Sequence, residues 1–134
     1  MPSPPTEPDE RWARGLAAYA SQFRIGEDEV FARLAGMVGE RMATEAVNAA
    51  GGAWGEDDVL SRREKSLVVV AALVAQSGVD ARLRGHVRWA VDHGVGAEEL
   101  EAVLSLLAVY VGYPRASVAM EVVREVVASS DNSA

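Results

Sequence analysis

The sequence predicts an all-α protein, a single-domain bundle of about six helices. The 134 residues suffice for one domain with a hydrophobic core. Hydrophobic residues make up 49% of the chain and aromatic residues only 6%, which is typical of closely packed helices. Apolar residues recur at helical spacing between glycine and proline breaks. The predicted domain covers residues 10–128, after a disordered tail at residues 1–9 and before a flexible C-terminus at residues 129–134.

The first half of the chain predicts two helices and a loop. The first helix spans residues 10–23, and Gly26 ends it. The second helix starts with three acidic residues at positions 27–29, whose charge suits the positive end of a helix dipole. The glycine-rich segment 51–55, which contains Trp54, predicts a loop.

The third helix begins at a capping box. Ser61 is a favourable N-cap and Glu64 follows it by three residues, so a helix should run from here to about Gln76. The run Leu67–Val70 could instead be a buried strand, but the length of the segment and the capping box favour a helix. Its unbroken apolarity predicts burial on all sides.

Three more helices complete the predicted bundle. One spans residues 80–94, with Asp80 as its predicted N-cap, and ends at a C′ glycine. The next spans residues 97–110 and stops at the glycine–proline break over residues 112–114. The last covers residues 115–127 and begins beside that proline, which suits a first helical turn.

Composition excludes several classes of function. A net charge of −7 argues against nucleic acid as a partner. The longest apolar run, Leu67–Ala75, is too short to span a bilayer, and the N-terminal segment lacks the pattern of a secretory signal. The absence of cysteine excludes disulfides and dithiol redox chemistry. We therefore expect a cytoplasmic protein that binds neither membranes nor nucleic acid.

The middle of the chain is cationic within an acidic protein. Residues 60–96 contain six basic and three acidic side chains. Such an excess of basic side chains can simply lie on solvated helix faces and have no function. Alternatively, the excess creates a local field that attracts a small anion.

Both histidines lie on the helix predicted over residues 80–94. His86 is mid-helix on the apolar side, where a histidine is usually a hydrogen-bonded core residue and less often a functional one. His93 precedes the terminal glycine, so a C-terminal cap favoured by the dipole is the better interpretation. Seven residues of helix separate them by about 10 Å, too far to share one ion, and we expect no metal site.

Two aromatic residues are further candidates. Tyr110 ends its predicted helix and is either a core aromatic residue with its hydroxyl at the surface or a hydrogen-bond donor in a pocket. Trp54 either fills the core or covers a cavity. Ser105 and Ser117 lack the sequence context of a catalytic nucleophile, and no phosphate-binding glycine loop is present.

Several motifs in this order resemble the carboxymuconolactone decarboxylase family, whose all-α fold is shared with the AhpD-type alkylhydroperoxidases. The resemblance covers nearly the whole chain. Its motifs are Arg11-Trp12-x-x-Gly15, Leu60–Leu67, Gly85–Ala90 with Gly94-Val95, Glu98–Leu104 and Tyr110–Ala116.

The resemblance implies a cofactor-free decarboxylase or lactone-processing enzyme that acts on a small anionic unsaturated lactone. His86 matches the family's helix histidine and is expected to donate a proton or to contact the oxyanion. Tyr110 matches the tyrosine before the glycine–proline break. Arg62 or Arg88 is expected to hold the substrate carboxylate, and Trp54 to contact the substrate. The family also implies a homo-oligomer, a trimer or a hexamer.

Two features distinguish this chain within the resemblance. Peroxidase members use a Cys-x-x-Cys motif, so the absence of cysteine makes peroxidase activity a distant third prediction. Gly52 occupies the position where decarboxylases often have a glutamate before the loop tryptophan. Both features favour the alternative of a non-catalytic helical oligomer that binds a ligand or a partner.

Overall fold

The computed structural model describes residues 8–55 and 59–132 of the chain. This part contains seven α-helices and no strand, which confirms the predicted all-α class with one helix more than expected. Most of the predicted N-terminal tail and the last two residues lie outside the described part. The helices are α1 (Pro8–Phe23), α2 (Glu27–Val38), α3 (Glu40–Ala53), α4 (Arg62–Gln76), α5 (Asp80–Asp92), α6 (Ala97–Val111) and α7 (Tyr113–Asn132).

The additional helix arises at Gly39. The backbone of this residue has a φ of 85°, which is the left-handed region that favours glycine. Its amide donates to the carbonyl of Ala35 and closes α2, while its own carbonyl accepts from Ala43 in the first turns of α3. The segment predicted as one helix is therefore two, because a single glycine redirects the chain between them.

The loop predicted over residues 51–55 is wrong for residues 51–53, because α3 continues to Ala53. Trp54 is the C-cap, and it lies with Gly55 outside the helix, as predicted. Gly51 and Gly15 allow the close approach of α1 and α3. A Cβ atom on Gly15 would collide with the backbone carbonyl of Val47, and a Cβ atom on Gly51 would collide with the backbone carbonyl of Arg11. Gly15 and Gly51 thus mark a close crossing of two helices, and Gly51 does not mark a turn.

The chain divides into two compact units at the boundary between residues 58 and 59. In the first unit, α1 and α2 both pack against α3 and against each other. Its core consists of Val30, Leu34, Ala43 and Val47, all almost fully buried. Because compactness alone does not define a domain, the single domain over residues 10–128 stays a prediction.

The second unit packs α4, α5 and α6 around α7. Helix α4 confirms the helical interpretation of the Leu67–Val70 run, and its predicted burial on all sides is wrong, since Val68 is 59% exposed. None of the described helices combines the length and apolarity that a bilayer crossing requires. The buried core residues of this unit are Val70, Val74, Leu83, Val87, Ala90, Val95, Leu100, Leu104, Ala119, Val122 and Val123.

Helix ends in the second unit differ from the prediction by a few residues. The N-cap of α5 is Val79, so Asp80 is the first helical residue and not the cap. The last helix begins at Tyr113 and reaches Asn132, beyond the predicted end at residue 127. Gly94 has a φ of 91°, as expected of the C′ glycine of α5.

Candidate functional site

Helix α5 aligns three aromatic rings along one side. The Trp89 ring lies between the two histidines, with centroid distances of 6.2 Å to His86 and 4.8 Å to His93. Trp89 is 2% exposed, whereas both histidines are only partly buried. The spacing of three and four residues places all three rings on one face, and that face packs into the second unit.

The His93 ring makes a contact with α4 that the sequence did not predict. Its Nδ1 atom lies 2.7 Å from the hydroxyl oxygen of Ser66, and the two atoms share a hydrogen bond. Ser66 is 1% exposed, and the Nε2 atom of His93 is also buried. The hydrogen bond therefore gives a partner to the buried Ser66 hydroxyl and to Nδ1 of His93. It also links α4 to the C-terminal end of α5.

His93 is the C-cap residue of α5, as the sequence predicted, but its side chain is not a cation there. Burial, followed by the positive charge of Arg62, lowers the pKa of His93, and the opposing effect of Asp92 is smaller. A neutral imidazole gains little from the helix dipole. The structure thus gives His93 a packing and hydrogen-bonding role.

His86 lies two turns before His93 and is half-buried. Burial and, secondarily, the charge of Arg82 lower the pKa of His86. At neutral pH the ring is therefore uncharged, with one nitrogen able to donate a hydrogen bond and the other able to accept a proton. A general base needs this neutral form, whereas a general acid must first take up a proton.

The arginines of α5 differ in their relation to His86. Arg82 precedes His86 by four residues, so the two lie on the same face of the helix. Arg88 follows His86 by two residues and projects from nearly the opposite side. Arg82 was not among the residues predicted from the sequence, although its spacing of four residues from His86 was the signal that could have identified it.

The remaining predicted residues lie in different places. Arg62 is the first residue of α4 and lies close enough to His93 to influence its pKa. Tyr110 is 79% exposed near the end of α6. Trp54 belongs to the first unit, where its amide donates to the carbonyl of Ala50. In the second unit the structure thus associates Arg62 with His93 and Arg82 with His86, while Tyr110 faces solvent.

An open surface depression of about 650 Å³ lies on α3 in the first unit, lined by Arg41, Met42, Thr44 and Glu45. It contains none of the predicted site residues. Among residues 8–55 and 59–132, no group of three or more histidine, aspartate or glutamate side chains is arranged to hold a metal ion.

Comparison with protein families gives a match between residues 42–125 and the carboxymuconolactone decarboxylase family. The chain belongs to this family. The resemblance predicted from the sequence motifs is thereby confirmed. The matched stretch contains every predicted site residue, from Trp54 in the first unit to Tyr110 on α6.

Two curated proteins are similar to parts of the chain. The 4-carboxymuconolactone decarboxylase of Acinetobacter baylyi is 36% identical over 77 residues, which cover 55% of this chain and 57% of that protein. Peroxisomal protein 2 of Saccharomyces cerevisiae is 46% identical over 50 residues, which cover 37% of this chain and 17% of that protein. The matches thus span less than two thirds of either relative. No solved structure matches the chain.

Proposed function

We propose that this protein is a cofactor-free decarboxylase or lactone-processing enzyme that acts on a small, anionic, unsaturated lactone. Membership of the carboxymuconolactone decarboxylase family supports the reaction class, and the relative from Acinetobacter baylyi supports the substrate class. The observation that carries the proposal is the pairing of His86 with Arg82 on one face of α5. This pairing places a neutral acid–base group next to a fixed positive charge.

The chemistry of the proposed substrate needs few protein groups. The bond between the carboxylate carbon and the ring carbon breaks, and CO2 leaves. The electron pair moves through the ring double bond to the lactone carbonyl and forms a dienolate. A proton delivered to carbon then completes the reaction. The protein must therefore bind the carboxylate, stabilise the enolate oxygen and supply one proton.

His86 and Arg82 fit two of these requirements. Arg82 can hold the substrate carboxylate through charge-assisted hydrogen bonds. The bound carboxylate adds negative charge near the His86 ring, which favours its protonated form and offsets the effect of Arg82. We propose that the resulting imidazolium donates its proton to the dienolate carbon and regains a proton from water.

The other predicted residues take secondary roles in this proposal. Arg62 and Arg88 remain candidates for the substrate carboxylate, and Trp54 for contact with the substrate ring. Tyr110 is proposed to donate a hydrogen bond to the enolate oxygen, although its exposed position gives it less support than His86. We further propose a cytoplasmic homo-oligomer, trimeric or hexameric, as the family resemblance implies.

A non-catalytic, ligand-binding or partner-binding oligomer is the second candidate function. Gly52 favours it, since this exposed residue carries no acid where decarboxylases of the family often have a glutamate. Absence of turnover together with retained lactone binding would support this candidate over the enzyme.

A substitution of Arg82 tests the proposed enzyme. Purified protein is incubated with 4-carboxymuconolactone, and the change in ultraviolet absorbance gives kcat and KM. We expect Arg82→Gln to raise KM strongly, because the substrate carboxylate loses its partner. Arg124→Gln, which removes an exposed arginine of α7, is the matched control and should leave both constants unchanged. Equal constants in the wild type and Arg82→Gln would contradict the proposed role.

A further inference from the structure

Two arginines of α1 lie beside glycines at the C-terminal end of α3. Arg11 lies against Gly51 and Gly52, and Arg14 lies against Gly55, just after the helix. The two arginines are three residues apart, so they share one face of α1. All five residues belong to the first unit, whereas the histidines of α5 belong to the second.

The close crossing of α1 and α3 confines the side chain of Arg11. Its Cγ atom is 2.9 Å from the position that a Cβ atom on Gly51 would take. The guanidinium atoms Nη2, Cζ and Nε are 3.3, 3.5 and 3.7 Å from the corresponding Cβ position of Gly52. These similar distances show that the flat face of the guanidinium lies against Gly52. Because the stem and the head are both held, a ligand of this group orders little further side-chain motion.

The N–H groups of Arg11 point to other partners than Gly52. They lie in the plane of the guanidinium, and the residue is exposed. Among residues 8–55 and 59–132, no carboxylate forms an ion pair with Arg11, and no oxygen accepts a hydrogen bond from its guanidinium. Arg115 differs, since it donates to the Ala75 carbonyl near the end of α4. Capping of a helix C-terminus thus explains Arg115 and does not explain Arg11.

Arg14 adds positive charge beside Arg11, but a carboxylate offsets it. Its Nη1 atom is 3.7 Å from the Cβ position of Gly55, and its Nη2 atom lies 3.9 Å from the Glu10 carboxylate. The charge of Arg11 is therefore the one in excess. An exposed guanidinium attracts small anions, and its planar fork matches the two oxygens of a carboxylate.

The helix end beside Arg11 limits the charge of the anion. Gly52 lies in the last turn of α3, whose terminal carbonyls give this end a partial negative charge. A phosphate dianion binds best to the amide groups of a helix N-terminus, the opposite end of the dipole. A carboxylate carries one charge, and one guanidinium can hold both of its oxygens. The ligand that fits this place is therefore a small organic acid.

We propose that Arg11, held against Gly52, is a binding site for the carboxylate group of a small organic acid. Glycine at position 52 is part of the site, because a Cβ atom there would press against Nη2 of Arg11. The site lies in the first unit and needs no turnover, so it stands or falls separately from the proposed chemistry.

A titration with acetate, followed by nuclear magnetic resonance, tests the site. Sodium chloride keeps the ionic strength constant, so that general screening does not change during the titration. In the wild type we expect saturable shifts of the Arg11 Nε–Hε signal and of the Gly52 amide signal, with a millimolar dissociation constant. Arg11→Gln should weaken acetate binding at least about fivefold. Arg41→Gln removes an equal charge from an exposed position of α3 and should leave the affinity unchanged.

A second variant tests the site without removing the arginine. Gly52→Glu places a carboxylate of the chain itself beside the Arg11 guanidinium, so acetate should bind at least about fivefold more weakly. Gly36→Glu is the matched control, because it adds the same charge at an exposed position of α2 with nothing within 4 Å. It should bind acetate as the wild type does. Circular dichroism checks that each variant keeps its helices.

Three outcomes would overturn the proposal. The first is a wild-type response that does not saturate, as expected if the acidic residues 56–58 of the chain already neutralise Arg11. The second is an unchanged acetate affinity in either Arg11→Gln or Gly52→Glu. The third is tighter binding of sulfate than of acetate, which would contradict a site for carboxylates.

Discussion

The hydroxyl oxygen of Ser66 lies 2.7 Å from Nδ1 of His93, and this hydrogen bond joins the first half of α4 to the C-cap of α5. The serine is almost completely buried, and the imidazole lies tilted at 47° against the buried Trp89 ring. The pair therefore fixes the end of the helix that carries His86. We expect this bond to stabilise the helix on which the candidate site lies.

Removal of the Ser66 hydroxyl should destabilise the protein. Ser66→Ala leaves Nδ1 of His93 without this partner, at an expected cost of about 1–3 kcal/mol in the free energy of unfolding. Urea denaturation followed by circular dichroism measures the change. Ser117→Ala is the control, because it removes only an exposed bond to the Pro114 carbonyl and should cost less than about 0.5 kcal/mol. Equal stability of the two variants would show that the Ser66–His93 bond contributes nothing.

Stability should decrease on mild acidification. The pKa values of His86 and His93 are lowered from the usual 6.5 in the folded state, mainly by burial. Below about pH 6.5 the unfolded chain therefore binds protons that the folded chain resists, so stability is complete above this pH and is lost as pH falls through the window below it. Urea denaturation at pH 7.5, 6.5 and 5.5 measures this slope. The double variant His86→Gln, His93→Gln should show a smaller change of stability with pH. If the double variant keeps the wild-type change, other titratable groups cause the loss of stability.

The glycines at the α1–α3 crossing should be intolerant of a methyl group. Gly15→Ala and Gly51→Ala each place a Cβ atom against a backbone carbonyl that has no freedom to rotate away, and each should cost about 1–3 kcal/mol or more. Gly36→Ala in α2 is the control, because a Cβ atom there meets nothing within 4 Å. It should stabilise the protein by about 0.5–1 kcal/mol through its higher helix propensity. Thermal unfolding of the three variants gives the comparison, and a destabilised Gly36→Ala would contradict the steric explanation.

The adjacent Gly52 should accept a glutamate. A Cβ atom there lies 3.3 Å from Nη2 of Arg11, the mobile end of a long side chain, and the residue is exposed. We expect Gly52→Glu to form a surface ion pair with Arg11 and to change stability by less than about 1 kcal/mol. If the acid assists the proposed decarboxylation, Gly52→Glu should also raise kcat, whereas the neutral Gly52→Gln should not. A similar kcat in both variants would exclude a role for the carboxylate.

The features that the sequence predicted correctly are those formed by residues close together in the chain. The capping box formed as expected, with the Glu64 amide donating to the Ser61 hydroxyl and the Ser61 amide donating to the Glu64 carboxylate. The glycine after His93 adopts the expected left-handed conformation. These features depend on residues within four positions of each other, so a short window of sequence contains their cause.

The features that were missed depend on residues far apart in the chain. Gly51 was interpreted as part of a loop, because only the approach of the Arg11 carbonyl from α1 explains a glycine at that helical position. The Ser66–His93 bond joins residues 27 positions apart. Likewise, apolarity alone did not predict that Val109 would be exposed, since much of a protein's accessible surface is apolar.

His86 is proposed to deliver the proton in the decarboxylation proposed for this protein. The most direct measurement is the release of CO2 from 4-carboxymuconolactone by purified wild-type protein and by His86→Gln at pH 7. Circular dichroism must first show that both proteins are equally folded. We predict stoichiometric CO2 release by the wild type and a loss of at least about 100-fold in kcat for His86→Gln, as expected of a general acid. No CO2 release by the wild type would contradict the proposed activity, and an unchanged kcat in His86→Gln would contradict the role of His86.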